Sequence, residues 1–471
     1  MPHLLTDTAV GARLDQAPWQ RIHTTILLAL GAGWLFDSFE VQLFSSAIGP
    51  LGDHFHASVF QRDAVLAVWL GGILIGAVTG GRLADRFGRR RLFVLTLLWY
   101  AGFTVLTGLS PTLAAVYGFR FLAALGVGAE YAIINAAIAE FMPARVRGKA
   151  NAFVMNFWPA GAIVAALLAY LALDTLALSN TVSWRYMFVL GGLLALVVLF
   201  FRRRIPESPR WLLARGRPAE AEQILRSLEA RSGSDQGAAV YGSAAPVAPR
   251  GRSAFGELAR HYPGRLVLGS LLDLAEAFGY YGLFALLSVI VLPQVHLSQA
   301  GIPLFYIIGN VGALAGGLLM ASLFDRVGHR RMVTGCYLLS AVGIAGLAGA
   351  TASGSAVWVT VAFVAASAFS TAAWTSAYPT FTELFPTHLR GVGVGTSVAI
   401  GRVGAIVGTL ALPSIAASIG ATASYALVAA FWLVGAATMI TYTLRGGAEG
   451  SRRSLETLAP PQQASTLVTA A

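Results

Sequence analysis

Twelve apolar runs of about twenty residues or more divide this chain of 471 residues, and runs of that length constrain it more than any other feature. They lie at approximately 22–48, 62–84, 91–109, 112–141, 148–173, 184–202, 265–292, 301–323, 331–350, 354–384, 388–417 and 421–444. Each is long enough to cross a bilayer as an α-helix, which satisfies its backbone polar groups internally where lipid cannot. Charged residues make up 12% of the chain, against about 25% in soluble domains. The expected fold class is an all-α polytopic membrane protein with twelve transmembrane helices, spans 1 to 12. The single cysteine, Cys336, lies inside an apolar run, so no disulfide framework and no thiol metal site is expected. Residues 1–21 are polar and the first run is longer than a signal peptide's core, so no cleaved leader is expected.

The formal charge of +11 could point to nucleic acid, but its distribution points to topology. Loops after spans 2, 4, 6, 8 and 10, with the two tails, hold nearly every Arg and Lys. The opposite loops hold only Arg62 and Arg185, while Arg120 and Arg402 fall within spans. This is the positive-inside pattern with both termini cytoplasmic, and it leaves no reason to expect a nucleic-acid partner. Lys149 is the one lysine among 33 basic residues, and alanine is abundant. That usage suggests a GC-rich bacterial genome and hence a bacterial inner membrane.

The chain repeats itself. GRLADRFGRRR (81–91) matches ASLFDRVGHRR (321–331), and EFMPARVRG (140–148) matches ELFPTHLRG (383–391). Asp37 and Glu40 in the first run are echoed by Asp273 and Glu276 in the seventh. The offsets are 236, 240 and 243 residues, in order along the chain. Two six-helix halves, 22–202 and 265–444, are therefore expected between an N-terminal segment (1–21), a cytoplasmic linker (203–264) and a tail (445–471). Parallel repeats of this kind are a transporter architecture with substrate bound near the midplane. The linker opens with RRIPESPRWLL, continues with an amphipathic helix in RPAEAEQILRSLEARSG and ends in SDQGAAVYGSAAPVAPRGR. The composition of that last piece, like that of the tail, predicts disorder.

These motifs resemble the major facilitator superfamily over nearly the whole length. Asp85, Arg86, Gly88, Arg89 and Arg90 form its signature loop after span 2, and RFLAALGVG (120–128) is similar to its span 4 motif. PESPRW (206–211) and the pairs Glu140/Arg147 and Glu383/Arg390 resemble the sugar-porter-like branch. Sugar porters typically carry a Gln pair and an Asn on span 7 and a Gln on span 5. Here those spans read DLAEAFGYYGLF and NFWPAG, without the hydroxyl ligands. The D-x-x-E of span 1 is closer to the D-x-x-D of bacterial organic-acid symporters. GWLFDSFE, YYGLF and GRVGAIVG look most like bacterial nicotinate-type transporters.

A charge at the bilayer centre costs around 2.5–3.5 kcal/mol, yet span 1 carries Asp37 and Glu40, span 7 carries Asp273 and Glu276, and span 4 carries Arg120 and Glu130. At about 1.5 Å per residue, Glu40 lies roughly 15 Å inside Pro50, and Arg120 roughly 14 Å inside Pro111, so they share a depth. Glu130, Glu276 and Arg402 form a second, more inward tier. Structural ion pairs are one reading. Proton coupling or substrate contact is the other, and the excess of acids over bases favours it. On that reading Asp37 and Glu40 bind the proton, with Arg120 as an alternating partner. The arginine holds the carboxylate ionised, and its withdrawal leaves a buried acid that takes up a proton. An organic anion needs a cation, for which Arg402 is the candidate; pairing with Glu276 is its structural alternative. The resemblance further implies that Asn156, Trp158, Tyr280, Tyr281, Asn310, Trp374 and Tyr378 sit on cavity-lining helices. It also implies a cytoplasmic gating network of Asp85, Arg86, Arg89, Glu140, Arg147, Glu207, Arg210, Asp325, Arg330, Glu383 and Arg390, whose salt bridges lock the halves when the cavity faces outward. Gly72, Gly76, Gly80, Gly126 and Gly128 suit close helix contact, and Pro159 and Pro379 are expected to kink their spans.

The expected function is a proton-coupled symporter, acting as a monomer, that imports a small organic carboxylate by alternating access. A drug/proton antiporter and a symporter for another metabolite such as a sugar are the alternatives. A non-transporting sensor would carry a larger cytoplasmic domain. No phosphate loop, metal cluster or nucleophile with a placed base supports an enzyme. The energy source is an ion gradient, with no cofactor.

Overall fold

The computed structural model describes residues 7–176, 178–203, 205–229, 254–287, 301–386, 389–447 and 449. Span 1 is Arg21–His54, span 2 Val59–Phe87, span 3 Arg89–Gly108 and span 4 Leu113–Phe141. Span 5 comprises Arg147–Met155 and Phe157–Tyr170, and span 6 is Asn180–Arg202. The second half contributes Pro263–Leu286, Gly301–Val327, His329–Ala352, Ala356–Leu384, Arg390–Ile419 and Ala421–Leu444 as spans 7 to 12. All twelve are long and apolar enough to cross a membrane. Apolar side chains stand outward in quantity, among them Leu95, Val197, Phe200, Leu319, Val342 and Trp358, as a lipid-facing surface requires.

Local chemistry sets the ends. Span 2 begins on a capping box: Gln61 N–H donates to the Ser58 hydroxyl at 3.3 Å, and Ser58 N–H donates to the Gln61 side chain at 2.8 Å. Thr112 caps span 4 by accepting from Ala115 N–H at 3.2 Å. The signature loop is much shorter than the sequence suggests. Spans 2 and 3 are parted by Gly88 alone, at φ +92°, and spans 8 and 9 by Gly328 alone, at φ +90°. Such angles are open to glycine and strained for other residues. Span 5 breaks at Asn156 rather than at Pro159. Pro159 is the third residue of the second segment, and its ring excludes the carbonyl of Met155, so the helix parts just ahead of the proline. Pro379 lies within an unbroken span 10.

Spans 2 and 4 meet along the expected glycines: a methyl on Gly72 would fall 2.6 Å from the Phe121 carbonyl, and one on Gly80 2.7 Å from that of Ala129. The halves join where span 11 lies on span 2, with Gly81 against Gly391, and where span 8 lies on span 5, with Gly148 against Phe324. The helix Asp7–Gln16, the described linker residues and Glu449 meet the junctions after spans 2, 4 and 8 on one face, hereafter the basic face.

The N-terminal segment is not simply a polar lead. Asp7–Gln16 is a helix whose Arg13 bonds Glu222 at 2.5 Å and Glu229 at 2.6 Å. Those acids lie on the linker helix Pro218–Glu229, which buries Ala221, Leu225 and Leu228 as its amphipathic pattern predicts. The linker also holds Pro209–Ala214, capped by Ser208, and Ala254–His261. Its stretch with a disorder-prone composition, and nearly all of the tail, lie outside the described residues.

Candidate functional site

Among the described residues, the spans bury the carboxylates Asp37, Glu40, Glu130, Asp273 and Glu276 and the guanidinium groups Arg120, Arg202 and Arg402. Span 1 places two of the acids three residues apart, yet they take different partners. Arg120 of span 4 pairs with Glu40, to which Thr104 also donates a hydrogen bond. Arg120 is wholly buried, and the rings of Phe44, Trp69 and Phe188 each stand 5.4 Å from its guanidinium. Three aromatic faces around a desolvated arginine offset part of the burial cost.

Asp37 accepts a hydrogen bond from Tyr131 of span 4 instead of sharing Arg120 with Glu40. The two acids, expected to share Arg120, thus have separate partners. The Tyr131 ring lies 5.2 Å from the guanidinium of Arg402, which comes from span 11 in the other half. Arg402 donates to Tyr281 at 3.1 Å and to Tyr378 at 3.4 Å. It lies in the field of Asp37, Asp273 and Glu276 together. Arg402 is thus a shared cation at the junction of the halves.

Glu130 pairs with Arg202, the last residue of span 6, which also donates to the Phe93 carbonyl at 2.9 Å. The expected inward tier of Glu130, Glu276 and Arg402 accordingly separates into an N-terminal pair and a C-terminal cluster. A void of water size is lined by Gly33, Trp34, Asp37, Tyr100, Glu130 and Tyr131, with Val127 and Ile134.

Seven aromatic rings close the junction. Trp34 stands 4.6 Å from Tyr131, 5.4 Å from Trp374, 5.8 Å from Tyr378 and 6.0 Å from Trp158, all edge-on. Trp158 donates to the Tyr280 hydroxyl at 3.1 Å, and Tyr280 leads to Tyr281. Edge-on rings pack favourably. Asn156 and Asn310 do not bond into this cluster: each donates to a carbonyl in its own span, Ala152 at 2.8 Å and Tyr306 at 2.9 Å.

On the basic face, Arg89 bonds Glu140 at 3.0 Å and Arg147 bonds Asp15 of the N-terminal helix at 3.1 Å. Glu207 accepts from Arg89 N–H at 2.9 Å and Arg90 N–H at 3.3 Å, capping span 3. Burial raises its pKa above the usual carboxylate value, against those backbone bonds. Asp325 accepts from Lys149 N–H at 3.1 Å across the halves, and His329 lies 3.7 Å from Glu383. Arg330 reaches Glu449 of the tail at 3.1 Å, and Glu449 also accepts from His329 N–H at 2.8 Å, capping span 9. Arg210 and Arg390 are buried in mutual range, with Glu140, Arg147 and Glu383 around Arg390. Arg86 is exposed, stacked on Phe87. The side chain of Asp85 lies outside the described residues.

Sequence reasoning missed Arg202, Tyr131, Thr104, Asp15 and Glu449. Arg202 ends an apolar run that opens into a basic cluster, so it reads as a loop arginine. Only the depth of Glu130 signals that it needs a partner.

The family profile described as "Sugar (and other) transporter" matches residues 40–459. A niacin transporter of Acinetobacter baylyi, NiaP, is 28% identical over 400 residues, covering 84% of this chain and 88% of its own. YgcS of Escherichia coli, an inner membrane metabolite transport protein, is 26% identical over 423 residues, covering 90% and 92%. The proton:xylose symporter XylE of E. coli, bound to 6-bromo-6-deoxy-D-glucose, superposes with a TM-score of 0.75 at 21% identity, covering 93% of this chain and 98% of its own.

Proposed function

The chain belongs to the sugar (and other) transporter family of the major facilitator superfamily, a family of transporters rather than enzymes, and from that premise we propose that it is a proton-coupled symporter importing a small aromatic carboxylate of the nicotinate kind. The observation that carries this reading is Arg402, held by two tyrosines among seven rings at the junction of the halves. A carboxylate would pair with the guanidinium, and a flat ring would fit between edge-on aromatics. A sugar would need several amide donors and acceptors, and the amide nitrogens of Asn156 and Asn310 are engaged by carbonyls of their own helices. A cationic drug would meet Arg402 at the centre of the cluster. The similarity to a niacin transporter supports the same substrate class.

The charge balance supplies the coupling. Five acids against three arginines leave an excess of two negative charges if all ionise, and an anionic substrate makes it three. Charge in that interior is expensive, so substrate and proton bind together more cheaply than the anion alone. Glu40, paired with Arg120, and Asp37, bonded by Tyr131, are the acids assigned to the proton on this reading. The Arg/Lys distribution puts the basic face in the cytoplasm of a bacterial inner membrane. Its network forms in one state and biases alternating access. The proton gradient is the energy source, with no cofactor.

The test is uptake of labelled nicotinate into proteoliposomes under an inward proton gradient, with and without a protonophore. Accumulation abolished by the protonophore is expected. Export of organic cations with no nicotinate uptake would replace this reading with an antiporter.

A further inference from the structure

Asp37 and Glu130 face one void, and each keeps a carboxylate oxygen without a hydrogen-bond partner. We propose that Glu130 receives the proton that Asp37 releases and passes it toward the basic face, with one water in the void as the bridge. This rests on the symport reading above and adds a residue to it.

Asp37 bonds Tyr131 through Oδ2, and its Oδ1 has no partner. Glu130 bonds Arg202 through Oε1, and its Oε2 has none. Both side chains are more than nine-tenths buried, and both line the same water-sized void, with Tyr100 beside them. A polar void with two unmet acceptors suits a bridging water. Gly33 keeps the approach open: a methyl there would fall 2.8 Å from the Arg202 guanidinium and 2.9 Å from Ile134. A purely structural pair would require neither the void nor the unmet oxygens.

The route has a direction. Asp37 and Glu130 lie at one level, because Tyr131, next to Glu130 on span 4, bonds Asp37, and the direction comes from Glu130's partner at the basic end. Arg202 is the last residue of span 6, at that same end. In the transfer, the O–H bond on Asp37 Oδ1 breaks as the water gains that proton. The water yields another proton to Glu130 Oε2. Asp37 becomes the carboxylate, Glu130 becomes neutral, and Arg202 keeps its bond to the Phe93 carbonyl. Loss of the proton to the basic side restores the Glu130–Arg202 pair.

The experiment compares the parent protein, Glu130→Gln and Glu130→Gln/Arg202→Met in proteoliposomes. It reads accumulation driven by an inward proton gradient, and substrate exchange at equal pH. The double variant leaves no unpaired buried charge. Both variants should lose accumulation by about tenfold or more, with exchange within about threefold of the parent. A double variant that accumulates like the parent overturns the proposal and makes the pair structural. A parent that exchanges without responding to the gradient overturns the symport reading and this inference together. Should the variants lose exchange as well, infrared difference spectra of the parent and of Glu130→Asp, which keeps the carboxyl group, decide. A protonated-carboxyl band that moves between them on a pH change supports the relay, and a band that stays fixed overturns it.

Discussion

Glu40 and Arg120 show what one residue does when removed from water. Fully buried, the pair is sustained by an aromatic enclosure and the Thr104 hydroxyl, and breaking such a pair typically costs about 3–5 kcal/mol. Glu40→Gln keeps the shape and a hydrogen-bond acceptor but cannot bind the transported proton. Uphill uptake should fall by about tenfold or more while exchange persists; accumulation equal to the parent's would remove Glu40 from the coupling machinery. Arg402→Lys should weaken substrate binding by about tenfold or more, because lysine cannot hold a carboxylate and two tyrosine hydroxyls in one planar fork. Competition binding on purified protein measures it, and unchanged affinity would place the substrate elsewhere. These residues were legible in the sequence because a charge inside an apolar run is conspicuous. Tyr131 was not, since aromatic residues are common in such helices and only its contact with Asp37 distinguishes it.

At the scale of elements, the described ends of the spans were legible to within about six residues, because length and hydropathy alone decide them, and the expected end of span 7 at 292 lies outside the described residues. The one-residue break at Gly88 was not: a cluster of arginines reads as a loop, and only the backbone shows two helices meeting at a single glycine. Gly88→Ala forces φ +92° on a residue with a side chain, and its methyl would press on Glu207, whose Cδ lies 3.0 Å away. A cost of about 1–3 kcal/mol is expected, together with an undocked Glu207. Labelling of single cysteines at the two faces should show the basic face opening more often, and equal labelling of variant and parent would argue against it. The N-terminal helix also escaped the sequence, since so short a helix depends on tertiary contacts rather than propensity.

Across the whole molecule, the N-terminal helix bridges the start of span 5, through Asp15 and Arg147, and the linker, through Arg13 and Glu222. Its hydrogen bond to Arg13 holds the Glu222 carboxyl below its usual pKa. A lowered folded-state pKa contributes stability that is present above the unfolded value, about 4.3 for Glu, and lost as pH falls through the folded one. The helix should therefore stay docked at neutral pH and release only in acid below that range. Spin labels on the N-terminal and linker helices would report the separation. Undocking already at pH 6 would mean that other contacts govern it.

Glu449 has a consequence for anyone handling this protein. It stands to Gly328 as Glu207 stands to Gly88, with separations of 121 and 119 residues and the same backbone amides as its target. A truncation placed at the end of span 12, the natural choice for crystallisation, would remove one of two matched fasteners while leaving every membrane helix intact. Such a protein should purify and bind substrate, yet turn over with its two halves no longer equally restrained. Affinity tags belong beyond Glu449, and turnover of a chain ending at Leu444, set beside one ending at Gly450, would show the difference.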